Sequence, residues 1–194
     1  MANEGIIYFQ DGELVAEHGK AKVYKMNGGL YLEIGPGHTL WAMEEELPDY
    51  IDQLQDIPRG NCLEIGLGLG VVSRYLLTFP RVKHLTTLEI ESDVIEVHKK
   101  IKDSDRGLKM EYNPKKHRIL NADGLSYAYQ TKKRFDFIFI DCYDRIDDET
   151  LPMIVDMSTA CSRLLTKNGK MMGWIDKSTP AEHFDIFEKI FDRY

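Results

Sequence analysis

The chain has 194 residues, 43% hydrophobic and 29% charged, enough to bury one sizeable core and too few for two independent ones. Its formal net charge of -7 repels phosphate backbones and anionic headgroups, so nucleic acid and membrane are excluded as main partners, and the cluster of Lys109, Lys115, Lys116 and Arg118 reads as a solvated face. Three scattered cysteines, Cys62, Cys142 and Cys161, fit neither a disulfide framework nor a metal clip, and Met1–Gly5 lacks a signal-peptide start, which together predict a cytoplasmic, metal-free protein.

In chain order, β-prone Ile6–Phe9 and then Val23 and Tyr24 predict strands, with Asn27-Gly28-Gly29 as a tight hairpin turn. Leu40, Met43, Leu47, Tyr50, Ile51 and Leu54 are spaced as a helix over 39–57, kinked or divided at Pro48. Beyond Gly60, short apolar runs alternate with amphipathic ones, the pattern of a parallel sheet covered by helices on both faces. Five sheet strands are expected, at Cys62–Ile65, Leu85–Ile90, Arg118–Asn121, Phe135–Ile140 and Lys170–Ile175. Between them Val72, Tyr75, Leu76 and Phe79 share one helical face, and Val94, Val97, His98 and Ile101 another, which makes His98 a packing residue. A last helix presents Phe184, Phe187 and Phe191 to the core.

Leu63-Glu64-Ile65-Gly66-Leu67-Gly68-Leu69-Gly70 joins the first sheet strand to a helix, the context in which a glycine run points to a nucleotide-like ligand. The dinucleotide fingerprint would need a glycine at Val71. Glu64 either sets a carboxylate beside the ligand, favouring a sulfonium or ammonium over a pyrophosphate, or anchors the loop from within. Glu89 closes the next strand at the spacing of an acid that grips ribose hydroxyls, followed by Ile90. Leu32-Glu33-Ile34-Gly35-Pro36-Gly37 imitates the motif, but no acid-ended strand follows it, and it reads as the hairpin's return strand and a turn.

The third strand runs into Asp123 and Gly124, where the acid could accept from an adenine amine or merely cap a helix. The fourth ends in Asp141-Cys142-Tyr143-Asp144, a pair of acids able to hold a cationic substrate or take its proton, or to satisfy loop amides.

This series resembles the spermidine synthases within the wider class I methyltransferase fold. Leu88–Val97 is similar to that family's E-I-D-x-x-V-I-x-V stretch, Asp123-Gly124 to its G-D-G segment, Asp141–Asp144 to its D-S-S-D, and Asn27-Gly28-Gly29 to its N-terminal hairpin turn, in the same order over roughly residues 20–175. The resemblance implies that Glu89 holds the ribose, Asp123 and Gly124 the adenine, and Asp141 and Asp144 the substrate amine and its proton. It also implies a Rossmann-like α/β fold, mainly a parallel sheet in strand order 3-2-1-4-5, with a small N-terminal β-hairpin element and the final antiparallel strands missing. The fifth strand would then be an open edge that a homodimer could cover. The family's donor-facing loop aspartate falls on Leu69, and its Y-Q-E-M helix on Trp41-Ala42-Met43-Glu44.

From these departures and Glu64, methyl transfer from S-adenosylmethionine to a small, amine-like acceptor is the leading expectation. Aminopropyl transfer from decarboxylated S-adenosylmethionine is the alternative, and adenosyl-ligand binding without catalysis a third. The expected site comprises Glu64, Gly66, Gly68, Gly70, Glu89, Ile90, Asp123, Gly124 and Asp141 for the donor. Trp41 and Tyr143 face the acceptor, and Asp144 is the base, oriented by Asp141. The expected division is 1–57, a hairpin and helix packed on the core, and 58–194, the donor-binding domain.

Overall fold

The computed structural model describes residues 12–35, 39–55, 57–102, 114–175 and 179–191; the strand expected at Ile6–Phe9, the turn at Pro36-Gly37 and Lys109 lie outside these. Four strands open the described chain, β1 (Glu13–His18), β2 (Ala21–Met26), β3 (Gly29–Ile34) and β4 (Thr39–Met43), paired antiparallel in that order. Asn27 and Gly28 take φ of +50° and +89°, the two left-handed residues of a tight turn matched to strand twist, and β3 is the expected return strand.

The helix expected from Thr39 is corrected at its start. Residues Thr39–Met43 form an edge strand whose Ala42 pairs with Leu32 and whose Leu40 pairs with Glu33. Their backbone groups thus find partners on β3, and tertiary pairing overrides an apolar spacing that suits a helix equally well. Helix α1 begins only at Leu47 (Leu47–Leu54), with Pro48 in its first turn, where no intrahelical amide partner is lost. The proline therefore starts the helix and does not kink it.

The remainder alternates strand and helix: β5 (Gly60–Ile65), α2 (Val71–Thr78), β6 (Val82–Glu89), α3 (Ser92–Lys102), β7 (His117–Asn121), α4 (Gly124–Gln130), β8 (Phe135–Ile140), α5 (Leu151–Ser162), β9 (Leu165–Gly173) and α6 (Ala181–Phe191). All the pairings are parallel and the order is β7-β6-β5-β8-β9, the 3-2-1-4-5 arrangement of a Rossmann-like methyltransferase sheet. Strand β9 starts five residues before the expected Lys170 and forms one edge.

Both faces of the central strands are covered, which is why β5 and β8 lack a solvent-side polar alternation. Cys62, Phe137 and Phe139 face α2 and α3, whereas Leu63, Ile65, Ile138 and Ile140 face α4, α5 and α6. Val72, Leu76, Val94, Val97, His98 and Ile101 are all buried. Of the last helix, Phe187 is buried and Phe191 packs beside it, but Phe184 is 40% exposed: the helix touches the sheet along a narrower stripe than its three phenylalanines indicate. The antiparallel sheet shares the first core, contributing Val23, Leu30 and Leu32 to it. It is pinned to α3 where the Lys20 amide donates to Asp93 (2.9 Å) and the Lys20 ammonium pairs with Glu91 (2.7 Å). Among the described residues no helix is long and apolar enough to cross a membrane.

Candidate functional site

The chain leaves β5 for α2 on one face of the sheet and β8 for α5 on the other, so the connections at their carboxyl ends diverge and leave a crevice there. A cavity of about 580 Å³ occupies it, within the range of a small-molecule site. Its floor is the loop after β5. Gly66 has φ +100° and its amide donates to the Leu88 carbonyl (2.9 Å); a Cβ there would sit 1.8 Å from the Asp141 carbonyl oxygen. Only glycine lets the ends of β5 and β8 come this close. At Gly68 a Cβ would lie 3.0 Å from that of Ala42, so strand β4 roofs the loop.

Glu89 ends β6 with its carboxylate fixed: Oε2 accepts the Leu67 amide (3.0 Å) and Oε1 the Glu91 amide (2.9 Å). Burial raises its pKa and these amides oppose the rise, leaving lone pairs for a further donor from the cavity. Ile90, 63% exposed, gives the cavity an apolar ledge. Asp123 caps α4 by accepting the Ser126 amide (2.8 Å); hydrogen bonding to the Ser126 side chain and amide lowers its pKa, and Asp123 also lines the cavity. Gly124 packs where a Cβ would meet Ile65 at 2.6 Å.

Asp141 stands at the end of β8, and burial followed by the repulsion of Glu46 pushes its pKa up to about 7. The Tyr50 hydroxyl donates to its Oδ2 at 3.0 Å and holds the rise down. Buried next to this carboxylate, Tyr50 is itself held far above the ordinary phenol range. Asp144 lies at the exposed rim of the same cavity, and Trp41, 52% exposed, covers it from β4.

The walls carry seven carboxylates. Glu46 and Asp49 come from the α1 side and Glu89, Glu91 and Asp123 from the ends of β6 and β7; Asp141 and Asp144 follow β8. Among the described residues no Lys, Arg or His lines it. Such a concentration of one sign in a low-dielectric crevice repels anions and attracts cations.

Two expected site residues, Glu64 and Gly70, lie outside the cavity lining, and a third, Tyr143, lines it with its hydroxyl already engaged. Glu64 is 1% exposed and lies beneath the loop, outside the cavity lining, accepting from the Ser73 and Thr87 hydroxyls; its strand position turns it toward α2. Burial pushes its pKa up to about 8. Gly70 is the left-handed N-cap of α2, where a Cβ would strike His98 at 2.3 Å. Tyr143 lines the cavity, but its hydroxyl donates to the Trp174 carbonyl (2.7 Å). Conversely Tyr50, Glu46 and Trp174 belong to the lining and were not anticipated as site residues. Tyr50 fell in an apolar stripe; the available signal was that a buried tyrosine hydroxyl needs a partner.

The sequence profile described as the Spermine/spermidine synthase domain matches residues 54–190. A polyamine aminopropyltransferase of Prochlorococcus marinus (strain MIT 9312) is 32% identical over 133 residues, 68% of this chain and 44% of the relative. That of Thermoplasma acidophilum is 36% identical over 87 residues, 45% of this chain and 30% of the relative. The chain thus spans less than half the length of these curated relatives. Among solved structures, spermidine synthase from Thermotoga maritima superposes with a TM-score of 0.69 at 19% identity, covering 93% of this chain and 63% of that one. A spermidine synthase in complex with the transition-state analogue AdoDATO gives 0.68 at 18%, with the same coverage.

Proposed function

Because the chain belongs to the spermine/spermidine synthase family, we propose that it is an aminopropyltransferase that uses decarboxylated S-adenosylmethionine as donor and a small amine as acceptor. The observation that carries this reading is that every charged residue lining the cavity is a carboxylate, which fits a donor and an acceptor that both arrive as cations. It moves the alternative of the sequence reading ahead of methyl transfer, since the relatives matched over two thirds of the chain are polyamine aminopropyltransferases. The loss of an acid at Leu69, which is buried, is offset by Glu46 and Asp49 in the same cavity lining.

When bound, the donor supplies a carbon made electrophilic by the adjacent sulfonium. The protein's part is to hold both reactants in line and remove a proton from the amine. Glu89 holds the ribose hydroxyls, while Asp123 and the ledge of Ile90 take the adenine. Asp141, poised near neutrality and aimed by Tyr50, accepts the amine's proton, and Asp144 at the rim holds a cationic end of the acceptor; this reverses the roles expected from sequence. The charge removed from the acceptor leaves a nitrogen lone pair free to attack, and Trp41 and Ala42 close the loop side against water.

Product analysis tests the reading. With both donors offered alongside a series of amines, 5′-methylthioadenosine should accumulate from the decarboxylated donor. Release of S-adenosylhomocysteine instead would restore methyl transfer, and neither product from any amine would leave a binding protein.

A further inference from the structure

We propose that the rim of the parallel sheet opposite the cavity binds the backbone of single-stranded nucleic acid. The stretches leading into and opening β5–β9, residues 57–61, 79–84, 114–118, 131–136 and 163–170, hold twelve of the chain's 25 Lys and Arg and a single acid, Asp136. That acid is engaged internally, accepting the Asn61 amide (2.9 Å) and the Thr166 hydroxyl (3.0 Å). Arg81, Lys83, Lys132, Lys133, Arg134 and Lys167 are exposed, and among the described residues none of the six side chains has an ion-pair or hydrogen-bond partner.

Five strand entries side by side at ~4.8 Å make a row of roughly 19 Å, a linear array of cations suited to a linear polyanion. At one end of it Tyr129, on the last turn of α4, is 61% exposed with the Arg163 guanidinium 4.7 Å from its ring centroid. An aromatic ring beside a guanidinium is a stacking platform for bases, which a lipid headgroup would not use.

The net charge of -7 does not weigh against this face, although it led the sequence reading to exclude nucleic acid. The carboxylates gather at the other ends of the same strands, about 20 Å away for six residues and more than two Debye lengths at physiological salt. The protein is electrically polar, and its average charge describes neither end.

Fluorescence anisotropy of the full chain with a labelled oligothymidine of about 20 nucleotides tests the proposal, since one such strand exceeds the rim. Binding should weaken steeply with salt. The variant K132E/K133E/R134E should bind at least tenfold more weakly and lose about 2 from the log–log salt slope, at about 0.7 per phosphate on a single strand. Y129A should weaken binding at every salt concentration. Amine-transfer activity should be the same in all three proteins, because none of these residues lines the cavity. The proposal is overturned if the oligonucleotide fails to bind at low salt, if the triple variant binds as the parent does, or if vesicles of phosphatidylcholine and phosphatidylserine retain the protein while the oligonucleotide does not. Since the readout is binding, failure of the transferase reading would leave this result standing.

Discussion

Replacing Tyr50 by Phe isolates one hydrogen bond at the proposed base. The ring keeps its edge contact with Phe139 (centroids 6.1 Å apart), and only the hydroxyl that donates to Asp141 Oδ2 at 3.0 Å is lost. A hydrogen bond to a charged acceptor is worth about 1.5–3 kcal/mol net and one pKa unit about 1.4, so with water replacing part of it the loss should raise Asp141 by about 1 unit. Starting from about 7, the carboxylate would move towards about 8. If Asp141 must be ionised to take the amine's proton, its active fraction at pH 7 falls from about one half to about one tenth, a roughly fivefold loss that vanishes at high pH. The acid limb of kcat/KM against pH, followed by release of 5′-methylthioadenosine, should therefore shift upward in Tyr50→Phe. In Glu46→Gln, which removes the repulsion on Asp141, it should shift downward. An unmoved limb in both variants, or a loss in Tyr50→Phe that is uniform across pH, refutes Asp141 as the base.

Glu64→Gln should make the stability of the ligand-free protein less dependent on pH. The native carboxyl titrates near 8 against about 4.5 when exposed, so the folded state binds the extra proton between those values and stability falls as pH rises through that window. Denaturant melts at pH 5 and 8 should show the parent losing more than the variant. Glu89→Gln should weaken donor binding by about 10- to 100-fold by calorimetry while the chain stays folded, since a charge-assisted contact is worth about 1.5–3 kcal/mol. Tyr143→Phe should leave turnover within about twofold and lower stability by about 1 kcal/mol, because its hydroxyl serves the Trp174 carbonyl; a large kinetic loss would return it to the acceptor site. Gly66→Ala should cost more than about 3 kcal/mol in thermal or denaturant unfolding, as its Cβ collides with backbone that cannot rotate away.

The sheet was legible because its strands are buried on both faces and read as uninterrupted apolar runs: Phe135–Ile140 has the predicted bounds in full. The end of β6 at Glu89 and the cap at Asp123 were legible for a related reason, since polar residues that close such runs stand at the sheet's carboxyl edge. Thr39–Met43 was not, because five residues cannot distinguish a strand from a helical turn, and its decisive partner, β3, is a tertiary fact. Glu64 and Glu89 both follow apolar residues in near-identical strings. What separates them is depth along the sheet: Glu64 pairs with Thr87 inside it, beneath α2 with Ser73, whereas Glu89 lies on the same face two residues beyond Thr87, at the lip of the crevice. Residue spacing within one strand does not show how far its neighbour extends past it, which the register of β5 against β6 decides. Tyr50 and Glu46 stayed hidden because their significance lies in Asp141, some 90 residues away.

The leaning of the antiparallel meander over the glycine loop, with Ala42 against Gly68, divides the labour of recognition between two separately built pieces. The floor is fixed by close backbone approaches that tolerate little change, whereas the roof meets it through side chains on an edge strand. If the proposed transfer reaction holds, exchanges at Leu40, Trp41 or Met43 should retailor which acceptor is admitted while the glycine-loop floor keeps its form. A library confined to β4 is accordingly the economical place to look for altered acceptor choice in this scaffold.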